Sequence, residues 1–256
     1  MSEPTGQTPR LRTVDRVPPP FPMNRFPARF GERLGAEIVC HRATRSDSRL
    51  EGTDWEQIFA RCVGAEWKPS NVGLDDVVLG QCAWGLKTVK NRSPQSARSV
   101  RLISGRCSPS FSYGDERVKG GDPDKLGAKV LQIWNERVSA VRARYANLRT
   151  AVLVKSEDLQ SLAVFEFETT LFPIDCFRWT WNQKENLEGH ERESGEHRFT
   201  WQHSGSQFTV VEPVPDQRLL IRIAKSERLS NEQVLQAIGF DHTWVTVDRR
   251  DHRVSP

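Results

Sequence analysis

The sequence predicts a mixed α/β fold, with a central mixed β-sheet flanked by helices and a β-rich C-terminal part. Three observations support this prediction. Residues 73–90 have the pattern of a β-hairpin, and residues 124–145 repeat apolar side chains at the helical period. Residues 150–155 and 161–170 have the apolar and β-branched composition of strands. The expected sheet therefore combines the hairpin with strands near residues 100, 152 and 165.

Composition narrows the class of protein. The chain has 256 residues, of which 37% are hydrophobic and 27% charged, which is typical of one large globular domain or a domain with a small appendage. No apolar run approaches the length of a membrane span, and no signal-peptide core is present near the N-terminus. The five cysteines include no CxxC pair, so we expect reduced thiols, no zinc knuckle and a cytoplasmic protein. Because no membrane span is predicted, we also expect no membrane partner.

The hairpin carries the candidate chemistry. Residues 75–79 form the incoming strand, Gly80-Gln81 the turn and residues 82–89 the returning strand. Antiparallel pairing brings the acidic pair Asp75-Asp76 and Lys87 to one end of the sheet. A carboxylate that binds a divalent cation, together with a lysine that offsets developing negative charge, is what phosphodiester hydrolysis needs.

This stretch resembles the core of the PD-(D/E)XK nucleases, as found in type II restriction endonucleases. The resemblance covers roughly Thr53 to Arg106, with Asp76 matching the first acidic residue and Lys87 the lysine. It implies a restriction-endonuclease-like fold and a Mg²⁺-dependent homodimer that cuts double-stranded DNA at a short palindrome. The pattern departs at Gly85, where the second acidic residue is expected.

Other carboxylates are candidates for the missing ligand. Glu166 and Glu168 lie on one face of a predicted strand, and Glu166 is the first candidate for the extra metal ligand. The alternative is that these glutamates belong to an ordinary solvated face of the strand. Glu56 lies in the predicted helix 53–63, at the spacing where many nucleases carry a helix glutamate near the metal. Glu56 also fits a capping box with Thr53, which would give it a purely structural role. Asp75 is the fallback ligand beside Asp76.

A basic stretch follows the hairpin. No acidic residue occurs between Val77 and Gly114, and serines and glycines are interspersed. Guanidinium groups, hydroxyls and backbone amides bind phosphate oxygens, so we expect this stretch to contact DNA; the alternative is a solvated basic face. The candidate DNA-binding residues are Lys90, Arg92, Arg98, Arg101 and Arg106.

The rest of the chain is assigned by composition. Residues 1–27 are rich in proline and arginine, which predicts a flexible arm that lies on DNA; the alternative is a loose tail or a strap over the domain. Residues 28–171 form the expected nuclease-like core and 172–256 a β-rich subdomain, in which RWTWN (178–182) and RFTWQ (198–202) are similar strands.

Two other functions remain open. The same basic face with a degenerate metal site predicts a non-catalytic nucleic-acid-binding protein, and Gly85 favours that alternative. An enzyme for a small anionic ligand would need a glycine-rich phosphate loop, and neither GxGxxG nor a P-loop motif is present.

Overall fold

The computed structural model describes residues 17–45, 49–69, 73–114, 121–224 and 227–247. Its helices are α1 (Phe30–Thr44), α2 (Gly52–Val63), α3 (Pro109–Tyr113), α4 (Pro123–Arg142) and α5 (Asn231–Ala237). Its strands are β1 (Glu66–Trp67), β2 (Val77–Leu79), β3 (Cys82–Lys90), β4 (Ser99–Arg106), β5 (Asn147–Lys155), β6 (Ser161–Glu168), β7 (Phe177–Trp181), β8 (Leu187–Glu191), β9 (His197–Gln202), β10 (Gln207–Pro213) and β11 (Leu219–Arg222). The fold is therefore mixed α/β, with two β-sheets flanked by helices.

The first sheet has six strands in the order β1-β2-β3-β5-β6-β11. Strands β1, β2 and β3 form an antiparallel meander, and β3 then pairs in parallel with β5 from Cys82↔Asn147 to Lys90↔Lys155. A parallel pair needs a crossover connection, and here the crossover includes helix α4. Strand β5 is buried from Leu148 to Val154, as its nearly continuous apolar run predicts for a central strand.

The second sheet is antiparallel and has the order β4-β10-β9-β8-β7. The expectation that the strand near residue 100 joins the central sheet is wrong, because β4 pairs with β10 along most of its length. The two similar strands, β7 and β9, belong to one antiparallel sheet as predicted, but β8 lies between them. Strand β11 returns to the first sheet beside β6, so the two sheets do not divide the chain at a single point.

Helices cover the two faces of the first sheet. One face packs against α1 and α2 through a core that includes Leu34, Trp55, Phe59 and Trp84. The other face packs against α4 and the second sheet through two further clusters. Helix α1 continues as far as Thr44.

The part of the predicted arm that the structure describes, 17–27, is held against the first sheet. Phe21 is buried and stacks on Trp84 with ring centroids 5.8 Å apart. The backbone N–H of Asn24 donates to the Glu166 carboxylate across 3.3 Å. Residues 1–16 lie outside the described residues, so the prediction that they contact DNA stays a prediction.

The C-terminal segment is helical. Helix α5 begins with a capping box of Ser230 and Gln233, and its apolar residues Leu235 and Ile238 are exposed. A short 3₁₀ turn covers His242–Trp244. Among the residues that the structure describes, no helix is long and apolar enough to cross a bilayer.

Candidate active site

Strands β2 and β3 form the predicted hairpin. Val77 pairs with Trp84 and Leu79 with Cys82, which leaves Gly80 and Gln81 as the two-residue turn. Gly80 has φ of 56°, a left-handed conformation that a glycine adopts without steric strain. Asp76 directly precedes β2, and the pairing register therefore places it beside the middle of β3, the strand that carries Lys87.

Asp76 is a buried carboxylate with few partners. Its Oδ2 accepts a hydrogen bond from the backbone N–H of Leu86 across 3.2 Å. Burial raises its pKa from 3.8 to about 6, with smaller increases from the charges of Glu56 and Asp75; Lys87 and the Leu86 N–H act in the opposite direction. A cation beside this carboxylate would favour its ionised form.

Side chains alternate along a strand, so the Lys87 side chain lies on one face of β3, and those of Trp84 and Leu86 lie on the other. Its Nζ donates to the backbone carbonyl of Gly73 across 3.3 Å. Burial lowers the pKa of Lys87, while the negative charges of Asp76 and Glu56 act to raise it. The ammonium is thus near two carboxylates while its hydrogen bond goes to a neutral oxygen.

Glu56 is free to join this group because helix α2 begins one residue earlier than predicted. The capping box is formed by Glu51 and Asp54, with the Glu51 N–H donating to Asp54 Oδ2 across 2.9 Å. The predicted box of Thr53 with Glu56 is therefore wrong. Glu56 Oε2 accepts instead from Trp67 Nε1 on β1 across 3.0 Å. We name Asp76, Lys87 and Glu56 the hairpin cluster.

Backbone fills the space beside Gly85. A Cβ built on Gly85 would lie 3.2 Å from the Gly73 carbonyl oxygen and 3.2 Å from the Leu74 Cα. Leu74 is buried in the core between the sheets, which limits how far this segment can move. An acidic side chain at position 85 would therefore displace backbone, and the oxygen nearest to that position is a carbonyl.

Asp75 lies beside the hairpin cluster with a different partner. Its Oδ2 accepts from Arg144 Nη2 across 3.0 Å, and the side chain is 2% exposed. Its Oδ1 is buried and has no hydrogen-bond partner among the described residues. A buried acceptor of this kind is open to a water or a cation, so Asp75 keeps its place as the fallback ligand.

Glu166 is part of a separate group on the other face of the sheet. Its Oε1 accepts from Trp84 Nε1 across 2.6 Å and its Oε2 from Arg149 Nη1 across 3.2 Å. It pairs with Ala151, which faces the core under α1 and α2, whereas Lys87 faces away from that core. The structure therefore does not bring Glu166 to Asp76 and Lys87, nor does it leave Glu166 on a solvated face.

The hairpin cluster fits a metal ion in part. Within the described residues no group of three or more histidine, cysteine, aspartate or glutamate side chains is arranged to hold a metal. The cluster does offer two carboxylates, one of which has a pKa raised to about 6 by burial. Mg²⁺ is commonly held by one or two carboxylates, with waters and substrate phosphates completing its shell. The cluster therefore provides at most two carboxylate ligands for a magnesium ion.

The five candidate DNA-binding residues are all exposed but lie in different places. Lys90 ends the strand that carries Lys87 and pairs with Glu157, and Arg92 follows it. Arg98 precedes β4, and Arg101 on β4 donates to Thr200 Oγ1 across 2.8 Å. Arg106 ends β4 beside α3. Lys90 therefore belongs to the first sheet, and Arg101 and Arg106 belong to the second.

Sequence reasoning missed Arg137, Arg144 and Arg149. Each lies in or directly after helix α4 or within β5, distant in sequence from the hairpin. Arg144 pairs with Asp75, Arg149 pairs with Glu166, and the charge of Arg137 contributes to the lowered pKa of Lys87. Arg137 and Arg144 lie in the predicted helix 124–145, where charged residues of both signs form the polar face of the helix.

Comparisons with protein-family models, with curated proteins and with solved structures found no match to this chain.

Proposed function

We propose that this protein is a Mg²⁺-dependent endonuclease that hydrolyses phosphodiester bonds in double-stranded DNA, with the hairpin cluster as its active site. The observation that supports the proposal most is that residues from three separate parts of the chain meet at the hairpin: the charges of Lys87 and Glu56 act on the ionisation of Asp76, and those of Asp76 and Glu56 act on that of Lys87. In the resemblance to PD-(D/E)XK nucleases, Asp76 matches the first acidic residue, Lys87 the lysine and Glu56 the helix glutamate. A mixed sheet with helices on both faces agrees with the restriction-endonuclease-like fold.

Each residue of the cluster has a role that follows from its chemistry. Asp76 and Glu56 would hold Mg²⁺, with Asp75 as the fallback. Mg²⁺, when bound, polarises the scissile phosphate and supplies a hydroxide nucleophile. Lys87 donates hydrogen bonds to the attacking water or to a phosphate oxygen, and its positive charge offsets the charge that develops there. The buried position of the ammonium strengthens that electrostatic effect.

The proposal accounts for Gly85 through the backbone. The Gly73 carbonyl lies where the second acidic side chain would project, and it already accepts from Lys87. It orients the ammonium, a task that a neutral oxygen performs without adding negative charge. Fewer carboxylates predict weaker metal binding in the absence of DNA, because substrate phosphates must supply the remaining ligands.

Cleavage of a mixed panel of plasmid and phage DNA tests the proposal. With Mg²⁺ the wild-type protein should give discrete fragments, and EDTA or the substitution Asp76→Asn should abolish them. The control Asp175→Asn changes an exposed aspartate of the 3₁₀ turn before β7 and should cut like wild type. Absence of Mg²⁺-dependent cleavage, or equal cleavage by Asp76→Asn, would refute the proposal.

A second candidate is a non-catalytic nucleic-acid-binding protein. Two observations favour it: backbone fills the space beside Gly85, and the described residues contain no group of three metal-ligating side chains. In that case DNA affinity would fall with salt by about −0.9 per phosphate contact on logarithmic axes, with no loss of substrate in Mg²⁺. The homodimer and the palindromic target remain predictions that sedimentation and the fragment ends would test.

A further inference from the structure

An open cleft lies at the end of β4, between helices α3 and α4 and the turn before β10. It encloses about 670 Å³, within the range of ligand sites in proteins. Its polar lining is basic or hydroxylic, and none of the described residues that line it is acidic. The polar side chains are Arg106, Ser108, Ser112, Arg137, Ser204 and Ser206.

The walls of the cleft are fixed by internal bonds. Arg137 Nη1 donates to the Ser104 carbonyl across 2.8 Å. Gly105 has φ of 94°, and a Cβ there would lie 2.6 Å from Arg137 Nη2, so the glycine lets this guanidinium lie across the end of β4. On the opposite wall, the Cys107 N–H donates to the Ser206 carbonyl across 2.8 Å. The cleft is therefore a formed feature of the fold.

Arg106 and the serine hydroxyls provide donors for an anion. The Arg106 side chain is exposed at the cleft, whereas the residue is paired with Gln207 of β10 in the sheet. Ser108 Oγ accepts from the Phe111 N–H across 3.3 Å, which leaves its own O–H free to donate. A guanidinium with neighbouring hydroxyls is the donor set that binds phosphate oxygens.

Phe111 adds an apolar face at the rim. Its side chain is 93% exposed, which is unusual for phenylalanine. Helix α3, which carries it, is held on α4 by the contact of Lys129 over the Tyr113 ring at 5.3 Å. An exposed aromatic ring beside phosphate-binding donors is how proteins stack on unpaired bases.

We propose that this cleft binds one unpaired nucleotide of a nucleic-acid strand, with its phosphate on Arg106 and the serine hydroxyls and its base on Phe111. The proposal rests on the nucleic-acid partner of the proposed function but is independent of cleavage. The same chemistry would suit a free mononucleotide, and the test separates the two sources.

Fluorescence anisotropy in EDTA measures binding without turnover, using a labelled single strand of roughly 12 nucleotides. Phe111→Ala should weaken binding by at least about fivefold, which corresponds to the lower end of the loss expected for a stacked aromatic. Arg106→Gln should also weaken binding and lower the salt slope by about 0.7. The matched controls Trp244→Ala and Arg178→Gln change exposed residues outside the cleft and should bind like wild type.

Competition identifies the ligand. Excess dAMP should displace the strand partly, and inorganic phosphate should displace it much less, because only dAMP carries a base. Wild-type affinity in Phe111→Ala, or equal losses in Phe111→Ala and Trp244→Ala, would overturn the proposal. Saturable dAMP binding that a single strand does not displace would assign the cleft to a free nucleotide and also overturn it.

Because the assay contains no metal, its outcome is separate from that of the cleavage test. Loss of binding in Phe111→Ala from a protein that never cuts DNA would support the cleft and refute the nuclease. Normal binding by Phe111→Ala in a protein that cuts would refute the cleft alone.

Discussion

Two ionic groups lie at the first sheet, and they differ in how completely their polar atoms are paired. On the face under α1 and α2, Glu166 accepts from Trp84, Arg149 and the Asn24 N–H, and the Arg149 and Glu166 side chains are 6% and 0% exposed. On the other face, Lys87 bonds to a carbonyl rather than to a carboxylate. The first group is closed, and the second keeps capacity for a ligand.

The difference teaches how burial can serve either structure or chemistry. Burial raises the pKa of both Glu166 and Asp76. For Glu166 an arginine and three hydrogen bonds oppose this rise, so the carboxylate fixes the N-terminal strap and three strands together. For Asp76 one lysine charge and one backbone hydrogen bond oppose the rise, and carboxylates with a raised pKa cluster at functional sites. We therefore assign stability to the Glu166 group and chemistry to the hairpin cluster.

Arg149→Met should have the largest effect on stability. It leaves the Glu166 carboxylate buried without its cation, and breaking one partner of a buried ion pair costs about 3–5 kcal/mol. Chemical denaturation measures the free energy of unfolding. Arg178→Met, at an exposed position of β7, should change it by less than about 0.5 kcal/mol. A loss below about 1 kcal/mol in Arg149→Met would contradict the structural role of the Glu166 group.

Asp76→Asn should shift the pH dependence of stability. The folded-state pKa of Asp76 is raised from 3.8 to about 6, so the folded protein holds this proton more tightly than the unfolded chain. Wild-type stability from this group is then present at low pH and is lost as pH rises from about 4 to 6, by an amount on the order of 3 kcal/mol. The stability difference should move in favour of Asp76→Asn over that range, as denaturation at pH 4 and pH 7 would measure.

A constant difference between Asp76→Asn and wild type across these pH values would show that Asp76 has an ordinary pKa. The same proton competes with Mg²⁺ for the carboxylate, so metal-dependent activity should fall as pH drops below about 6.

Gly85→Asp should lower stability by about 1–2 kcal/mol, because its Cβ would meet the backbone of Gly73 and Leu74. It should also fail to raise cleavage, since the side chain would displace the carbonyl that orients Lys87. Thermal denaturation and a cleavage assay on the same preparation check both results. A Gly85→Asp protein that is stable and cuts faster would show instead that the position is a lost ligand.

Glu157→Gln should have the smallest effect. It removes the exposed ion pair with Lys90, and such pairs contribute at most about 1 kcal/mol. Its free energy of unfolding, measured beside Arg149→Met, gives the contrast between an exposed and a buried ion pair. A loss near that of Arg149→Met would mean that burial does not explain the comparison.

The sequence predicted the elements whose signals are local. The hairpin turn at Gly80, the apolar stripe of helix α2 and the period of α4 each lie within one stretch of chain, and the structure has all three. Helix α2 also shows the limit of this reasoning, since Thr53 and Glu56 fit the sequence signature of a capping box but Glu51 and Asp54 form the box in the structure. That choice decided whether Glu56 was available to the candidate site.

Partners distant in sequence were not predictable. Alternation along β4 marks it as a strand but carries no information on whether β5 or β10 lies beside it. The sequence likewise predicts Glu166 to be a carboxylate without a partner, because Arg149, which pairs with it, and Trp84, which donates to it, come from two other strands. The approach of Leu74 to Gly85 depends on packing between the sheets, which no short pattern records.

The most direct test compares Lys87→Ala with Lys184→Ala in Mg²⁺-dependent DNA cleavage under single-turnover conditions. Lys184 is an exposed lysine in the loop between β7 and β8 and serves as the matched control. We expect Lys87→Ala to lose at least about 100-fold in rate, as when one charge-stabilising donor is removed, while Lys184→Ala cuts like wild type. Equal rates for the two variants would contradict the assignment of the hairpin cluster as the active site.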